Sequence, residues 1–207
     1  MRTRNRSICL GMAAIAAALV LGIGQEASLA QVAPDAAASV AAEPDVLVLG
    51  DSLAVGTMPY LDALLTDTNL TWDAVDGRTT PQGMHALRLD LREVEPQTVV
   101  VSLGSNDGPD PGRFTRRIRR LLDDLSPQTC VVWFTIVRPL RKGRYGALNR
   151  ALRAEAQRDP RLRLINWDNA VRRGDVYLPD GLHADAAGYR YRSTKIAQAV
   201  HSGCPAL

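Results

Sequence analysis

The chain has 207 residues, of which 46% are apolar, 23% charged and 5% aromatic, and its formal net charge is +3. These proportions lie near the averages of soluble globular proteins, so they exclude collagen-like, low-complexity and fully disordered chains. A net charge this small gives no support for a nucleic-acid partner, and none is expected.

The first thirty residues have the pattern of an export signal. Three arginines in the first six residues precede an uncharged, mainly apolar run over residues 8–24, and Ser28-Leu29-Ala30 supplies small residues for cleavage. We expect residues 1–30 to be removed and the mature protein to be secreted, periplasmic or held at the cell envelope, without stable membrane insertion. The alternative is an uncleaved N-terminal anchor, although the run is shorter than the roughly 20 residues of a spanning helix.

Residues 31–44 form an Ala- and Pro-rich segment without apolar periodicity, which is typical of a flexible tether. The remaining residues, 45–207, have the size of one domain. Five short apolar or β-branched runs in this domain predict strands at residues 45–49, 70–75, 98–103, 129–137 and 162–166.

Segments with helical spacing separate these strands. The clearest has Phe114, Ile118, Leu121, Leu122 and Leu125 on one face, and a last helix follows His183. Strands that alternate with helices, several of them apolar throughout, predict an α/β fold with a five-stranded parallel sheet covered on both faces.

Polar clusters follow the strands at the edge where such sheets bind ligands. Asp51-Ser52 follows the first strand, Gly77 the second, Ser105-Asn106-Asp107 the third, and Asp180 to His183 lie in the loop after the fifth. Each cluster alone is typical of a turn or a helix cap. Their occurrence together at one predicted edge favours a catalytic site.

Ser52 is the candidate nucleophile, because a serine hydroxyl is activated when an imidazole takes its proton and a carboxylate orients that imidazole. Of three histidines, only His183 has a carboxylate, Asp180, one turn of chain before it. The candidate oxyanion donors are the backbone N–H groups of Ser52 and Gly77 and the side-chain amide of Asn106.

Other kinds of site have less support. The nucleophile elbow of α/β-hydrolases needs Gly-x-Ser-x-Gly, and Ala54 occupies the last position. No two histidines have metal-ligand spacing and no Gly-rich phosphate loop is present, so neither a metal nor another cofactor is expected.

Four blocks of the sequence together resemble the SGNH hydrolases, also called GDSL esterases/lipases: Gly50-Asp51-Ser52-Leu53, Gly77, Gly104-Ser105-Asn106-Asp107 and Asp180-Gly181-Leu182-His183. The resemblance implies a flavodoxin-like three-layer α/β/α sandwich. It also implies Ser52 as nucleophile, His183 as base, Asp180 as its partner, and Ser52, Gly77 and Asn106 as the oxyanion hole.

Few residues remain for a lid once strands and helices are assigned, which favours a shallow cleft and short acyl groups such as acetate. We therefore expect an exported serine esterase that acts on an acyl ester, with a cell-envelope polysaccharide as the hypothetical substrate. One alternative is an O-acyltransferase with a separate membrane partner, since residues 164–188 are similar to SGNH domains attached to membrane acyltransferases. A catalytically idle envelope-binding module is the other.

Two further features concern opposite edges of the predicted sheet. The loop after the fourth strand carries Arg138, Arg141 and Arg144; it is either a solvated loop or a contact for an anionic or polyhydroxyl substrate. Cys130 and Cys204 fall at the opposite edge, because helices in this architecture run antiparallel to the strands. We expect a disulfide between them.

Overall fold

The computed structural model of the protein describes residues 43–204, and the predicted signal segment and nearly all of the tether lie outside this range. Five strands form one sheet in the order β2-β1-β3-β4-β5, and every neighbouring pair is parallel. The α/β fold and all five predicted strands are thereby confirmed. The strands are β1 (Asp45–Gly50), β2 (Asn69–Ala74), β3 (Thr98–Ser102), β4 (Cys130–Phe134) and β5 (Leu162–Ile165).

Strand β4 ends earlier than its apolar run predicts. Asn149 accepts a hydrogen bond from the backbone N–H of Ile136 at 2.7 Å and donates one to the Ile136 carbonyl at 2.9 Å. A buried side chain therefore replaces the neighbouring strand as the hydrogen-bond partner of the backbone, and the chain leaves the sheet although its residues stay buried.

The helices connect successive strands and cover the sheet. They are α1 (Ser52–Val55), α2 (Met58–Leu61), α3 (Thr80–Asp90), α4 (Pro111–Asp123), α5 (Gly146–Ala156), α6 (Trp167–Arg173) and α7 (Ala186–Ser202). The predicted periodic helix is α4, which begins after Asp110 because that side chain accepts from the backbone N–H groups of Gly112 and Arg113.

Two apolar clusters lie on the two faces of the sheet. Leu47, Val99 and Val131 pack with α3, α4 and α5 on one face. On the other, Val48 and Val100 pack with residues of α1, α2, α6 and α7. Because successive strand side chains point to opposite faces, uniformly apolar strands supply both cores of a three-layer sandwich.

The predicted disulfide between Cys130 and Cys204 is present. Cys130 begins β4 and Cys204 follows α7, so the bond ties the end of the last helix to the amino edge of the sheet. No helix within residues 43–204 is long and apolar enough to cross a membrane.

The strand order contains one reversal of direction, between β1 and β3. The chain moves from β1 to β2 on one side and then crosses to β3 on the other. Loops that leave adjacent strands in opposite directions open a crevice at their carboxyl ends, where ligands bind in open α/β sheets. Ser52 follows β1 and Asn106 follows β3, so both lie at this crevice.

Candidate active site

Ser52 is the first residue of α1, directly after β1 and the buried Asp51. The turn is tight: a Cβ on Gly50 would lie 2.2 Å from the Cβ of Ala54. Asp51 caps the helix, because its Oδ1 accepts from the backbone N–H of Leu53 at 3.0 Å. Glycine and aspartate before the serine therefore fix its position at the carboxyl edge of the sheet.

His183 approaches Ser52 from the loop that precedes α7. Its Nε2 lies 3.0 Å from the Ser52 Oγ, and its Nδ1 lies 2.8 Å from Oδ2 of Asp180. A carboxylate only accepts hydrogen bonds, so the Nδ1 carries the proton and the Nε2 has a free lone pair toward the hydroxyl. The structure thus brings together the three residues that the sequence predicts as nucleophile, base and orienting acid.

Asp180 is held by its own loop. Its Oδ1 accepts from the backbone N–H groups of Leu182 at 2.9 Å and His183 at 2.7 Å. The bonds from the His183 ring and from these two N–H groups keep the pKa of the Asp180 carboxyl well below its usual range. The carboxylate is therefore ionised at neutral pH and able to stabilise a positive charge on the imidazole.

Asp51 joins the β1 and β3 loops beneath the serine. Its Oδ2 accepts from the hydroxyl of Ser105 and from the Nδ2 of Asn106, the latter at 3.3 Å. The same Nδ2 donates to the carbonyl of Arg78 at 3.3 Å. Asn106 is therefore oriented from both sides of the crevice, and acceptors define which end of its amide is the nitrogen. Both of its N–H groups have an acceptor, so the amide binds an oxyanion only by exchanging one of these two long bonds.

The other two predicted oxyanion donors are backbone groups. Neither the N–H of Ser52 nor that of Gly77 has an acceptor within residues 43–204. Gly77 has a φ of +74°, and a Cβ there would meet no atom within 4 Å. The space beside its Cα is therefore open, and the conformation favours glycine.

Arg192 is a residue whose place the sequence did not predict. The side chain from α7 is fully buried, with its guanidinium 3.8 Å from the centre of the Phe134 ring and 4.6 Å from that of Trp167. It donates to the Ser102 hydroxyl at 2.9 Å. The signal was present: Arg192 lies four residues before the apolar Ile196, on the same helical face.

The charges of Arg192 and Asp51 act on each other beneath the site. Burial lowers the pKa of Arg192 to about 10, and the Asp51 charge opposes that shift. Burial likewise raises the pKa of Asp51, against the bonds from Ser105 and Leu53 and the charge of Arg192. Arg192 therefore remains charged at neutral pH and faces the network that holds Asn106.

The expectation that Arg138 contacts a substrate needs correction. Arg138 is only 2% exposed, and its guanidinium donates to the carbonyls of Gly104, Ser105 and Asp107 within the β3 loop and to that of Gly143. Burial keeps the guanidinium from a substrate, Nη2 included, although Nη2 has no hydrogen-bond partner within residues 43–204; through Nε and Nη1, Arg138 holds two loops together.

The rest of the basic loop does face solvent. Arg141, Lys142 and Arg144 are exposed, and the Lys142 Nζ lies 3.4 Å from the Oδ1 of Asn106. Lys142, one of the four cations that the sequence places in this loop, is thus the one that reaches the crevice.

Comparison with known proteins agrees with this geometry. Residues 48–191 match the family described as GDSL-like lipase/acylhydrolase. A thioesterase 1/protease 1/lysophospholipase L1 from Escherichia coli (strain K12) is 33% identical over an alignment of 97 residues that covers 41% of this chain. The chain spans about half, 47%, of the length of the curated relatives it matches.

Solved structures show the same fold. The C-terminal catalytic domain of Streptococcus pneumoniae peptidoglycan O-acetyltransferase A (OatA) superposes with a TM-score of 0.63 at 21% identity, covering 78% of this chain and 94% of that one. A lipase/acylhydrolase from Enterococcus faecalis gives 0.64 at 17% identity, covering 79% and 99%. Since the family match spans most of the described residues and includes the β1, β3 and α7 loops, the chain belongs to the GDSL-like lipase/acylhydrolase family, the SGNH hydrolases.

Proposed function

We propose that the protein is an exported serine esterase that removes short acyl groups, such as acetyl, through a covalent acyl-enzyme. The observation that carries the proposal is the continuous chain of contacts from Ser52 Oγ to His183 Nε2 at 3.0 Å and from His183 Nδ1 to Asp180 at 2.8 Å. This order of hydroxyl, imidazole and carboxylate is the arrangement that activates a serine.

The reaction then runs in two halves. The Ser52 oxygen attacks the ester carbonyl while His183 Nε2 takes its proton, and the N–H groups of Ser52 and Gly77 and the amide of Asn106 stabilise the oxyanion. His183 returns the proton to the departing alcohol, which leaves an acyl group on Ser52. Water, deprotonated by His183, attacks this ester, and collapse releases the acid and restores the serine.

The openness of the site favours a small acyl group. The side chains of His183 and Asp180 are 43% and 49% exposed. A long acyl chain needs apolar walls to replace water, and side chains this exposed are not enclosed by such walls within residues 43–204. Lys142 lies at the crevice, and Arg141 and Arg144 are nearby in the same loop. These cations can donate hydrogen bonds to a polyhydroxyl substrate such as an acylated cell-envelope polysaccharide.

The test uses Ser52→Ala and a series of aryl esters from acetate to decanoate. We expect the wild type to prefer the acetate and Ser52→Ala to lose turnover with an unchanged melting temperature. A fluorophosphonate should label Ser52 in the wild type only. Retained hydrolysis in Ser52→Ala, or no labelling of the wild type, would refute the assignment; unlabelled but folded wild type would favour an idle envelope-binding module.

A second candidate function, O-acyl transfer to an envelope glycan, has specific support. The OatA domain, whose name states peptidoglycan O-acetyl transfer, shares the fold over 94% of its length. Transfer and hydrolysis share the acyl-enzyme and differ only in whether a sugar hydroxyl or water attacks it. To distinguish the two activities, the protein is given an acetyl donor together with a glycan oligosaccharide. More acetylated oligosaccharide than free acetate indicates a transferase. In the cell, such a transferase would receive its acetyl groups from a separate membrane partner.

Export is part of the proposal and rests on residues 1–30. Expression of the full chain with fractionation should give a mature protein that begins at Gln31 outside the cytoplasm. A full-length product in the membrane fraction would favour the N-terminal anchor instead.

A further inference from the structure

A second feature of the molecule lies outside the serine site and is strongly cationic. A surface groove of about 320 Å³ runs between α3 and α4. Five arginines line it, together with the apolar residues Pro81 and Met84, which we call its floor. The arginines are Arg88, Arg113, Arg116, Arg117 and Arg120, which we call the arginine groove.

The charges in the groove are only partly compensated. Arg117 bonds the fully buried carboxylate of Asp107 at 2.8 Å, while Arg88 and Arg113 pair with Asp124 and Asp110. Within residues 43–204, Arg116 and Arg120 have no carboxylate within 4.0 Å. Five cations therefore face three carboxylates, and the groove keeps a net positive charge.

The stripe on α4 works against the stability of that helix. Arg113 and Arg116 and likewise Arg117 and Arg120 are three residues apart, and the pairs 113/117 and 116/120 are four apart, so like charges are neighbours on one helical face. Arg113 also lies in the first turn, where the helix dipole disfavours cations. An anionic ligand would relieve both repulsions.

The groove begins at the catalytic edge. Arg117 is fixed by Asp107, which follows Asn106 in the β3 loop and also accepts from the backbone N–H of Thr80 at the start of α3. Because α4 starts at this edge and rises about 1.5 Å per residue, its arginine stripe extends about 10 Å away from it. A polymer chain whose ester lies at Ser52 can thus continue into the groove.

We infer that the arginine groove binds the anionic groups of a glycan and that the natural ester is carried by a carboxylated or phosphorylated polysaccharide. Guanidinium forks match carboxylate and phosphate oxygens in pairs, and the Pro81–Met84 floor suits the apolar face of a sugar ring. The inference rests on the proposed esterase function and specifies the substrate class of the same site.

The shape and lining of the groove favour this ligand over other polyanions. A flat anionic membrane contacts protruding cations, whereas these line a concave surface, and Arg113 is paired with the exposed carboxylate of Asp110. No aromatic side chain lines the groove, so the stacking that binds single-stranded nucleic acids is missing from it.

Binding is measured on Ser52→Ala protein, so that it does not depend on turnover. The probes are a fluorescent oligogalacturonate for carboxylates, poly(glycerol phosphate) for phosphates, a neutral glucomannan oligosaccharide, and phosphatidylglycerol vesicles. The test variant is Arg116→Gln with Arg120→Gln. The matched control, Arg92→Gln with Arg150→Gln, removes two exposed arginines that do not line the groove.

We expect at least one anionic glycan probe, but not the neutral one, to bind with a salt-dependent Kd. The test variant should weaken this binding about tenfold and the control should not. In proteins with Ser52 intact, the test variant should lower the kcat/KM ratio of acetylated oligogalacturonate to aryl acetate.

Three results would overturn the inference: no binding of either anionic glycan, equal weakening by the control variant, or binding to vesicles alone. If the wild type does not hydrolyse aryl acetate, the proposed esterase function is refuted instead. Because binding is read on Ser52→Ala, the two failures are distinguishable.

Discussion

The Oδ2 of Asp51 lies 3.3 Å from the Nδ2 of Asn106, and through this contact the residue before the candidate nucleophile orients a candidate oxyanion donor 55 positions away. Asp51 also caps α1 at Leu53, so one buried carboxylate fixes both sides of the crevice. The two loops that it joins leave β1 and β3, where the strand order reverses.

The first prediction concerns Asn106. Asn106→Ala should lower kcat about 10²- to 10³-fold with a small change in KM, because the amide acts on the oxyanion and not on the ground-state ester. Asn106→Asp should be worse, since a second carboxylate would face both Asp51 and the developing charge. Asn166→Ala, at the end of β5, is the control, and steady-state kinetics on an aryl acetate is the measurement. Equal kcat for Asn106→Ala and the control would remove Asn106 from the oxyanion hole.

The second prediction tests the role of Asp180 as the partner of His183. In Asp180→Asn the side-chain oxygen can still accept from the backbone N–H groups, but the amide N–H group faces His183 Nδ1. Nδ1 must then accept a hydrogen bond, which favours the tautomer with the proton on Nε2. We expect kcat to fall about 10²- to 10⁴-fold with little change in stability. Asp185→Asn is the control, because asparagine caps α7 as well as aspartate does. Similar rates for the two variants would contradict the proposed role.

The third prediction is a pH dependence of stability. Burial and the neighbouring charge of Asp73 raise the pKa of Asp90 to about 6. Between about pH 4 and pH 6 the Asp90 carboxyl is therefore protonated in the folded protein but ionised in the unfolded chain. Its contribution to the free energy of unfolding is full below pH 4 and falls as the pH rises. Asp90→Asn cannot ionise, and we expect it to exceed the wild type by roughly 1 kcal/mol at pH 7.5 after solvent screening.

Denaturant unfolding of both proteins at pH 4 and pH 7.5 checks this. The difference in the free energy of unfolding should vanish at pH 4. Asp123→Asn, an exposed position on α4, should show no such dependence. A difference that is the same at both pH values would mean that Asp90 does not titrate in this range.

The fourth prediction concerns the disulfide. Cys130→Ala with Cys204→Ala should lower the free energy of unfolding by about 2–4 kcal/mol, because the oxidised unfolded chain is constrained by a loop with a sequence separation of 74. Activity below the unfolding transition should be unchanged, since the bond lies at the amino edge of the sheet. Wild type in reducing agent should match the variant. Free thiols in the exported protein, or no effect of the reductant, would contradict it.

Much of the fold could be predicted because its signals are local. Uniformly apolar strands alternating with amphipathic helices define a parallel sheet, and the confirmed strands differ from their predicted bounds mainly where Asn149 draws β4 out of the sheet. Candidate site residues could be named because parallel strands end at one edge. Their catalytic roles stay predictions until the kinetic tests are made.

The partners of buried charges could not be read from local signals. Arg138 directly follows an apolar run and Arg192 lies four residues before Ile196 on one helical face, and each is almost fully buried. Arg138 is enclosed by carbonyls of a loop more than thirty residues away, and Arg192 by rings from β4 and α6. Their partners are distant in the chain, so composition and periodicity gave no sign of them. The arginine groove could not be predicted either, because it forms only where α3 and α4 pack side by side.

The alternation of strands and helices, the sheet edge at which the polar loops meet, and the candidate set Ser52, Asp180 and His183 could all be read from the amino-acid sequence. The contacts that hold these loops could be seen only in the folded chain: Asp51 with Asn106, Arg192 with Ser102, and Arg138 between two loops. Periodicity and turn chemistry act over a few residues, whereas compensation of a buried charge depends on groups that only folding brings within hydrogen-bond distance.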